Sequence, residues 1–292
     1  MTLPFYVYGS IAIAVVTIVG NTLVFIAVYR YQNLRTIPNL IILNLNIADF
    51  LFNIIVIPIN IFLNVRASAE MSKNGTFCHI AGIGAVLFGN SSIITLAFVS
   101  IERYMATNHP VRHRNMFHAK LIKITVFFIW LSSAFMSALP YATSKYAYMK
   151  SFFHCGVDWA EDLPTTIVFA VVILSSLIIL VFCNIYTLRA TTKGPKVGPS
   201  NSNASQNSEG IRLQRERRIL VIMIAMIATS FLCYTPYCVA MLYLAIRQSG
   251  LSRMFMGITT MLPIVNSACN PIIYGVLNKN FRKAFANIIR CK

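Results

Sequence analysis

The sequence predicts an all-α membrane protein, a seven-transmembrane helix bundle followed by a short amphipathic helix, and three observations carry that expectation. The chain is 57% hydrophobic and 11% charged, with a mean hydropathy of +0.67, too apolar for one water-soluble core. Seven apolar stretches follow one another along its 292 residues, each reaching the ~20 residues that cross a bilayer as a helix. Lys and Arg collect in alternate connections and after the last stretch, as they do on cytoplasmic flanks.

The expected spans are about 5–29, 38–64, 77–101, 121–141, 163–188, 218–246 and 252–276. Met1-Thr2-Leu3-Pro4 has no basic region and the run after it is too long for a signal segment, so span one is expected to insert uncleaved. Arg30 and Arg35 follow span one, Arg112, Arg114, Lys120 and Lys123 join spans three and four, and seven basic residues from Arg189 to Arg218 join five and six. This places the amino terminus outside and the carboxyl terminus in the cytoplasm. A net charge of +17 would suggest nucleic acid in a soluble chain, but here the cations line one membrane face. The expected contacts are the anionic lipid bilayer and an acidic cytosolic partner, with no nucleic acid.

Span two carries Asp49 in Leu43-Asn44-Leu45-Asn46-Ile47-Ala48-Asp49, where a carboxylate costs ~2.5–3.5 kcal/mol on insertion scales unless paired or hydrated. Asn21, Ser92, Asn266, Ser267 and Asn270 fall at comparable depth, a set of oxygens that suits Na⁺ or water. The alternative is a neutral, hydrogen-bonded Asp49 that joins helices. Pro58 and Pro140 are expected to kink spans two and four. Cys78, at the outer end of span three, and Cys155, in the outer loop after span four, are expected to pair in oxidising surroundings. Asn74-Gly75-Thr76 is an outer glycosylation sequon.

At the inner end of span three stands Glu102-Arg103-Tyr104, and Glu216 stands at the inner end of span six. Arg103 could pair with both carboxylates, in a contact that breaks if span six moves outward. The segment 191–212, rich in Ser, Asn and Gly with Pro195 and Pro199, reads as a flexible cytoplasmic loop. Pro236 in Cys233-Tyr234-Thr235-Pro236-Tyr237 supplies a hinge beneath two aromatic rings. Span seven carries Asn270-Pro271-Ile272-Ile273-Tyr274, and Pro271 leaves the Ser267 carbonyl without its backbone donor. The bundle (1–276) is followed by a membrane-surface helix and cytoplasmic tail (277–292), with Phe281, Phe285, Ile288 and Ile289 at helical spacing among basic residues. Cys291 beyond it is either a palmitoylation site or a free thiol.

Asn21, Asp49, Cys78, Glu102-Arg103-Tyr104, Trp130, Cys155, Pro236 and Asn270-Pro271-Ile272-Ile273-Tyr274, in that order, resemble the rhodopsin-like class of G-protein-coupled receptors over nearly the whole chain. The resemblance implies a plasma-membrane receptor, not an enzyme, that binds an extracellular ligand within its outer half. On opening its inner face it would catalyse nucleotide exchange on a heterotrimeric G protein, with arrestin as a further partner. Arg103 would be the switch arginine, flanked by Glu102 and Tyr104, with Glu216 as its inactive-state partner. Asp49 would be the sodium-site acid and Tyr274 a stabiliser of the active state.

Cys155-Gly156-Val157-Asp158-Trp159 looks like the outer loop of opsins, and 270–281 is similar to opsins and melatonin receptors. The position of an opsin's retinal-linking lysine, however, is Ile264, so no covalent cofactor is expected and only noncovalent retinal would remain. Ala85 stands where an amine receptor would carry aspartate, and Ser176, Asn184, Ser230 and Tyr234 also depart from the class pattern. The resemblance makes Ala85, Val86, Gly89, Tyr234, Tyr237, Thr260 and Ile264 one pocket, suited to an uncharged or weakly polar ligand; ordinary core packing is the alternative for each. A polytopic transporter or channel is the competing class, disfavoured by a single central acid and no internal repeat. The five histidines fall in loops or at span ends, without metal-ligand spacing.

Overall fold

The computed structural model describes residues 3–66, 75–142, 146–149, 152–157, 163–192, 203–247 and 252–290. Span one is α1 (Leu3–Arg30), and span two is α2 (Ile37–Leu51) and α3 (Ile57–Arg66) joined through a π-helical turn, Phe52–Val56. Span three is α4 (Thr76–Asn108), followed by the short α5 (Pro110–Met116), and span four is α6 (Ala119–Ala142). A hairpin of β1 (Tyr146–Met149) and β2 (His154–Val157) precedes span five, α7 (Leu163–Thr192). Span six is α8 (Asn203–Arg247), span seven α9 (Arg253–Leu277), and α10 (Lys279–Ile289) follows. Among the described residues, seven helices are long and apolar enough to cross a membrane. The seven-span bundle with its appended helix is thus the architecture of the chain.

Two features differ from the sequence expectation. The π turn directly precedes Pro58, whose ring displaces the carbonyl four residues before it, so span two absorbs its proline by gaining a residue in one turn. In the segment expected as loop 191–212, α7 continues to Thr192 and α8 already begins at Asn203; 193–202 lie outside the described residues. Beyond Pro199 that stretch holds one glycine and no proline, while Gln206, Glu209, Leu213, Gln214 and Arg215 favour helix, so span six extends backward past the membrane boundary.

The interior is polar in places that fix helix against helix. Asn44 of α2 donates to Thr95 Oγ1 of α4 at 2.8 Å and accepts from Trp130 Nε1 of α6 at 2.9 Å, tying spans two, three and four through one amide. Outward faces are apolar: Phe127, Phe128, Leu131 and Phe135 of α6 are exposed, as lipid contact requires. Asn278 ends α9 and caps α10, accepting from the backbone N–H of Asn280 at 3.0 Å. The chain turns there, and α10 buries Phe281 against Tyr274 with ring centres 5.6 Å apart while Arg282 and Lys283 stay exposed.

The hairpin lies across the end of the bundle expected to be extracellular. Its strands pair antiparallel, Tyr146 with Val157 and Tyr148 with Cys155, and Cys155 is disulfide-bonded to Cys78 of α4. Tyr146 packs on Gly82 of α4 so closely that an added Cβ would meet its ring at 2.4 Å. The Tyr146 hydroxyl donates to the Ser137 carbonyl of α6 at 2.9 Å. From α3, Asn60 Oδ1 accepts from Cys155 N–H at 3.0 Å and Asn64 donates to the Phe153 carbonyl at 2.6 Å. Phe153 has a φ of 58°, a left-handed backbone that is uncommon for a bulky residue, and its ring stacks on Tyr6 of α1 at 5.2 Å. Phe152 is buried among Tyr237 and Ala240 of α8 and Met256 of α9. The hairpin is thereby fastened to spans one, two, three, four, six and seven.

Candidate functional site

Beneath the hairpin lies a cavity of about 860 Å³, within the range of small-molecule pockets. Ala85, Val86, Gly89, Tyr234, Tyr237, Thr260 and Ile264 all line it. Ala85, Val86 and Gly89 form a low wall on α4, and a Cβ added at Gly89 would meet nothing within 4 Å. Tyr234 and Tyr237 project from α8 on either side of Pro236, and Thr260 is held by a bond from its hydroxyl to the Met256 carbonyl at 2.9 Å. Ile264 is 2% exposed and packs with Ala14 and Ile57, so the position of an opsin's lysine is filled by ordinary apolar contact. His154, Cys155, Gly156 and Val157 form the roof. His154 Nε2 lies 3.0 Å from the Tyr237 hydroxyl, and burial pushes its imidazole down to about 4.

The cavity floor reaches Asp49. Asp49 Oδ1 accepts from Ser92 Oγ at 3.2 Å and Ser267 Oγ at 3.1 Å, and Oδ2 accepts from Asn270 Nδ2 at 2.7 Å. Three of the five expected partners, Ser92, Ser267 and Asn270, therefore meet Asp49. Asn266 turns instead to span six, where its Oδ1 accepts from Ser230 Oγ at 3.0 Å. Asn21 donates to the Thr17 carbonyl at 2.9 Å within its own helix, away from the carboxylate. The donor set fits a small hard cation: one carboxylate and two hydroxyl oxygens with free lone pairs converge beside a void. It fits the hydrogen-bonded alternative equally, because every Asp49 oxygen already has a donor. Among the described residues no cluster of His, Cys, Asp and Glu could hold a transition metal.

At the opposite end Arg103 is 5% exposed and Glu102 fully buried. The Arg103 guanidinium forks onto both oxygens of its neighbour Glu102, and His113 Nε2 of α5 lies 2.6 Å from Glu102 Oε1. The sequence reading gave Arg103 to Glu216 as well; that side chain lies outside the described residues. Tyr104 points the other way, its ring against Phe182 and Tyr186 of α7 at 6.3 Å each. Tyr274 is fully buried with its hydroxyl facing Asn46 without a well-formed hydrogen bond. Asn74 and Cys291 lie outside the described residues.

Sequence reasoning missed His113 and His154, both set aside as loop histidines. The signal for His113 was Pro110, which starts a helix one residue after α4 is capped and turns the chain back toward Glu102. It also missed what the departures at Asn184 and Ser230 do: Asn184 Nδ2 of α7 donates to Ser100 Oγ of α4 at 3.1 Å, and Ser230 joins α8 to α9.

The comparisons agree with this arrangement. Residues 20–274 match the family described as 7 transmembrane receptor (rhodopsin family). The QRFP-like peptide receptor of Branchiostoma floridae is 27% identical, across 100% of this chain and 78% of its own length. Neuropeptide FF receptor 1 of Rattus norvegicus is 28% identical across 98% of this chain and 70% of its own, and the rat histamine H2 receptor 27% across 95% and 77%. With a seven-helix bundle, a roofed cavity at one end and a buried Glu-Arg pair at the other, the chain belongs to the rhodopsin family of G-protein-coupled receptors.

Proposed function

We propose that this receptor takes an uncharged or weakly polar extracellular ligand into the cavity bounded by Ala85, Val86, Gly89, Tyr234, Tyr237, Thr260 and Ile264 and relays its binding to a heterotrimeric G protein. The observation that carries the reading is the cavity itself: its walls combine α4, which carries Arg103 toward its far end, with α8, which hinges at Pro236. A ligand that shifts Tyr234 and Tyr237 acts on the segment directly around that hinge, and the inner half of α8 swings with it. In the orientation given by the basic residues, the roof is extracellular and Arg103 faces the cytosol. Among the described residues Asp49 is the only carboxylate on the lining, and it lies at the floor; α4 has Ala85 where a cationic ligand would need an anion. A peptide ligand, as the names of two of the relatives suggest, is the second reading, favoured by their matching most of this chain.

Asp49, Ser92, Ser267 and Asn270 would hold Na⁺, which bound there would neutralise Asp49 and brace spans two, three and seven in the resting arrangement. Loss of a NaCl-against-choline-chloride difference in thermal unfolding on Asp49→Asn is the expected sign. The receptor reading is tested by guanine-nucleotide exchange on a panel of purified heterotrimeric G proteins, with the receptor in nanodiscs and peptides, amines, lipids and retinoids as trial ligands. The expected result is faster exchange for at least one pairing, lost in Arg103→Ala at equal folded protein; no acceleration anywhere in the panel would overturn it.

A further inference from the structure

The cavity does not end at the helices. Its lining includes Leu174 and Val181 of α7 and Phe231, Val239 and Leu242 of α8, and these five are 53% to 61% exposed on the outside of the bundle. A side chain that borders both the cavity and the exterior marks an opening. The five lie on the facing edges of spans five and six and run from the level of the roof to mid-membrane, so the opening is a lateral seam facing lipid. Above, the hairpin lies across the direct route from water: the disulfide, the Asn60 and Asn64 bonds, the Tyr6–Phe153 stack, the Tyr146 contacts and buried Phe152 tie it to six spans.

We infer that the ligand of this cavity is an uncharged, membrane-dissolved molecule that reaches it sideways, through the seam between spans five and six. The inference rests on the receptor reading and sharpens it. The seam is bordered by aliphatic and aromatic carbon, which admits an alkyl or ring system without desolvation and rejects a fixed charge. Polar recognition is kept inside. His154 on the roof has a buried Nδ1 that makes no well-formed hydrogen bond, its Nε2 sits beside the Tyr237 hydroxyl, and Thr260 also lines the cavity, so polar groups for one hydrogen-bonding function on an otherwise apolar ligand are present inside. Gly89, with open space at its Cβ position, leaves the room opposite.

The full-length receptor in phosphatidylcholine nanodiscs tests this with a hexadecanol that carries a mid-chain diazirine and a terminal alkyne. The comparison probe has the same chain with a trimethylammonium head. After irradiation, adducts are mapped by mass spectrometry. The alcohol is expected to mark the peptides containing Ala85–Gly89 and Tyr234–Val239, and the cationic probe only outward positions such as Phe127 and Phe135. Gly89→Phe fills the cavity and should lower the interior adducts about tenfold while leaving those on α6 unchanged. Val239→Trp, at an exposed position that leaves folding intact, narrows the seam and should slow interior labelling. Interior adducts that are absent, equal for both probes, or insensitive to both variants would overturn the lateral route. Nucleotide exchange run in parallel separates the two readings: exchange without interior labelling removes the route and keeps the receptor, and labelling without exchange does the reverse.

Discussion

Asp49 and Glu102 are both buried carboxylates, 3% and 0% exposed, yet the chain satisfies them in opposite ways. Asp49 draws its donors from Ser92, Ser267 and Asn270, which are 43, 218 and 221 residues away along the chain. Glu102 is met by the adjacent Arg103 and by His113, eleven residues on. The first carboxylate joins spans two, three and seven and exists as a site only when the bundle is assembled. The second meets the adjacent arginine and a histidine of the short helix that follows, so these contacts run along the chain within α4 and α5. One carboxylate thus draws donors from distant helices, and the other from its own neighbourhood in the chain.

The contrast can be broken most severely at the local end. Glu102→Ala deletes the acceptor of both Arg103 and His113 in a buried setting, and thermal unfolding in nanodiscs should register a loss of about 3 kcal/mol. A loss below about 1 kcal/mol would show that the fork is replaced without penalty. Asp49→Asn keeps the shape and removes the charge, and it should cost about 1–2 kcal/mol by leaving hydroxyl donors facing an amide. The discriminating measurement is a double-mutant cycle with Ser267→Ala: coupling above about 0.5 kcal/mol is expected for the long-range cluster. A smaller effect is expected at the roof. The folded hairpin holds His154 near 4 against an ordinary 6.5, so between those values the unfolded chain binds a proton that the folded one does not. Stability should therefore be full above pH 6.5 and decline as pH falls toward 4, and His154→Gln should flatten that slope. The smallest effect belongs to Ser230→Ala, which removes one bond between spans six and seven and should cost roughly 0.6 kcal/mol. If it instead raises basal nucleotide exchange several-fold, the Ser230–Asn266 contact is a restraint on span six, not packing.

How much of this was readable beforehand depends on the range over which the deciding physics acts. The spans were legible because bilayer thickness imposes a run length on the sequence directly, and Cys78 and Cys155 because their compartment is fixed by that topology. Asp49, Ser92, Ser267 and Asn270 were legible as a group because polar residues at one depth in hydrocarbon have few other places to turn. Asn266 was not, since two acceptable partners, Asp49 and Ser230, lie on different helices and only the rotation of α9 decides between them. The Glu102–His113 contact was hidden because it depends on the direction in which the chain leaves α4. The roof was hidden for the same reason: Phe153 is held in a left-handed conformation by Tyr6 and Asn64, and nothing in the local sequence there asks for it.

The π turn at Phe52–Val56 changes how span two must be compared with that of any relative. A π turn holds one residue more than an α turn, so the residues before and after it are out of helical phase by about 100°. Asn60 and Asn64 point at the roof only because of that added step. A relative that lacks the extra residue will align across this helix only with a one-position gap placed inside it. Forced into ungapped register, the asparagines that fasten the roof here will be matched with side chains that face lipid there.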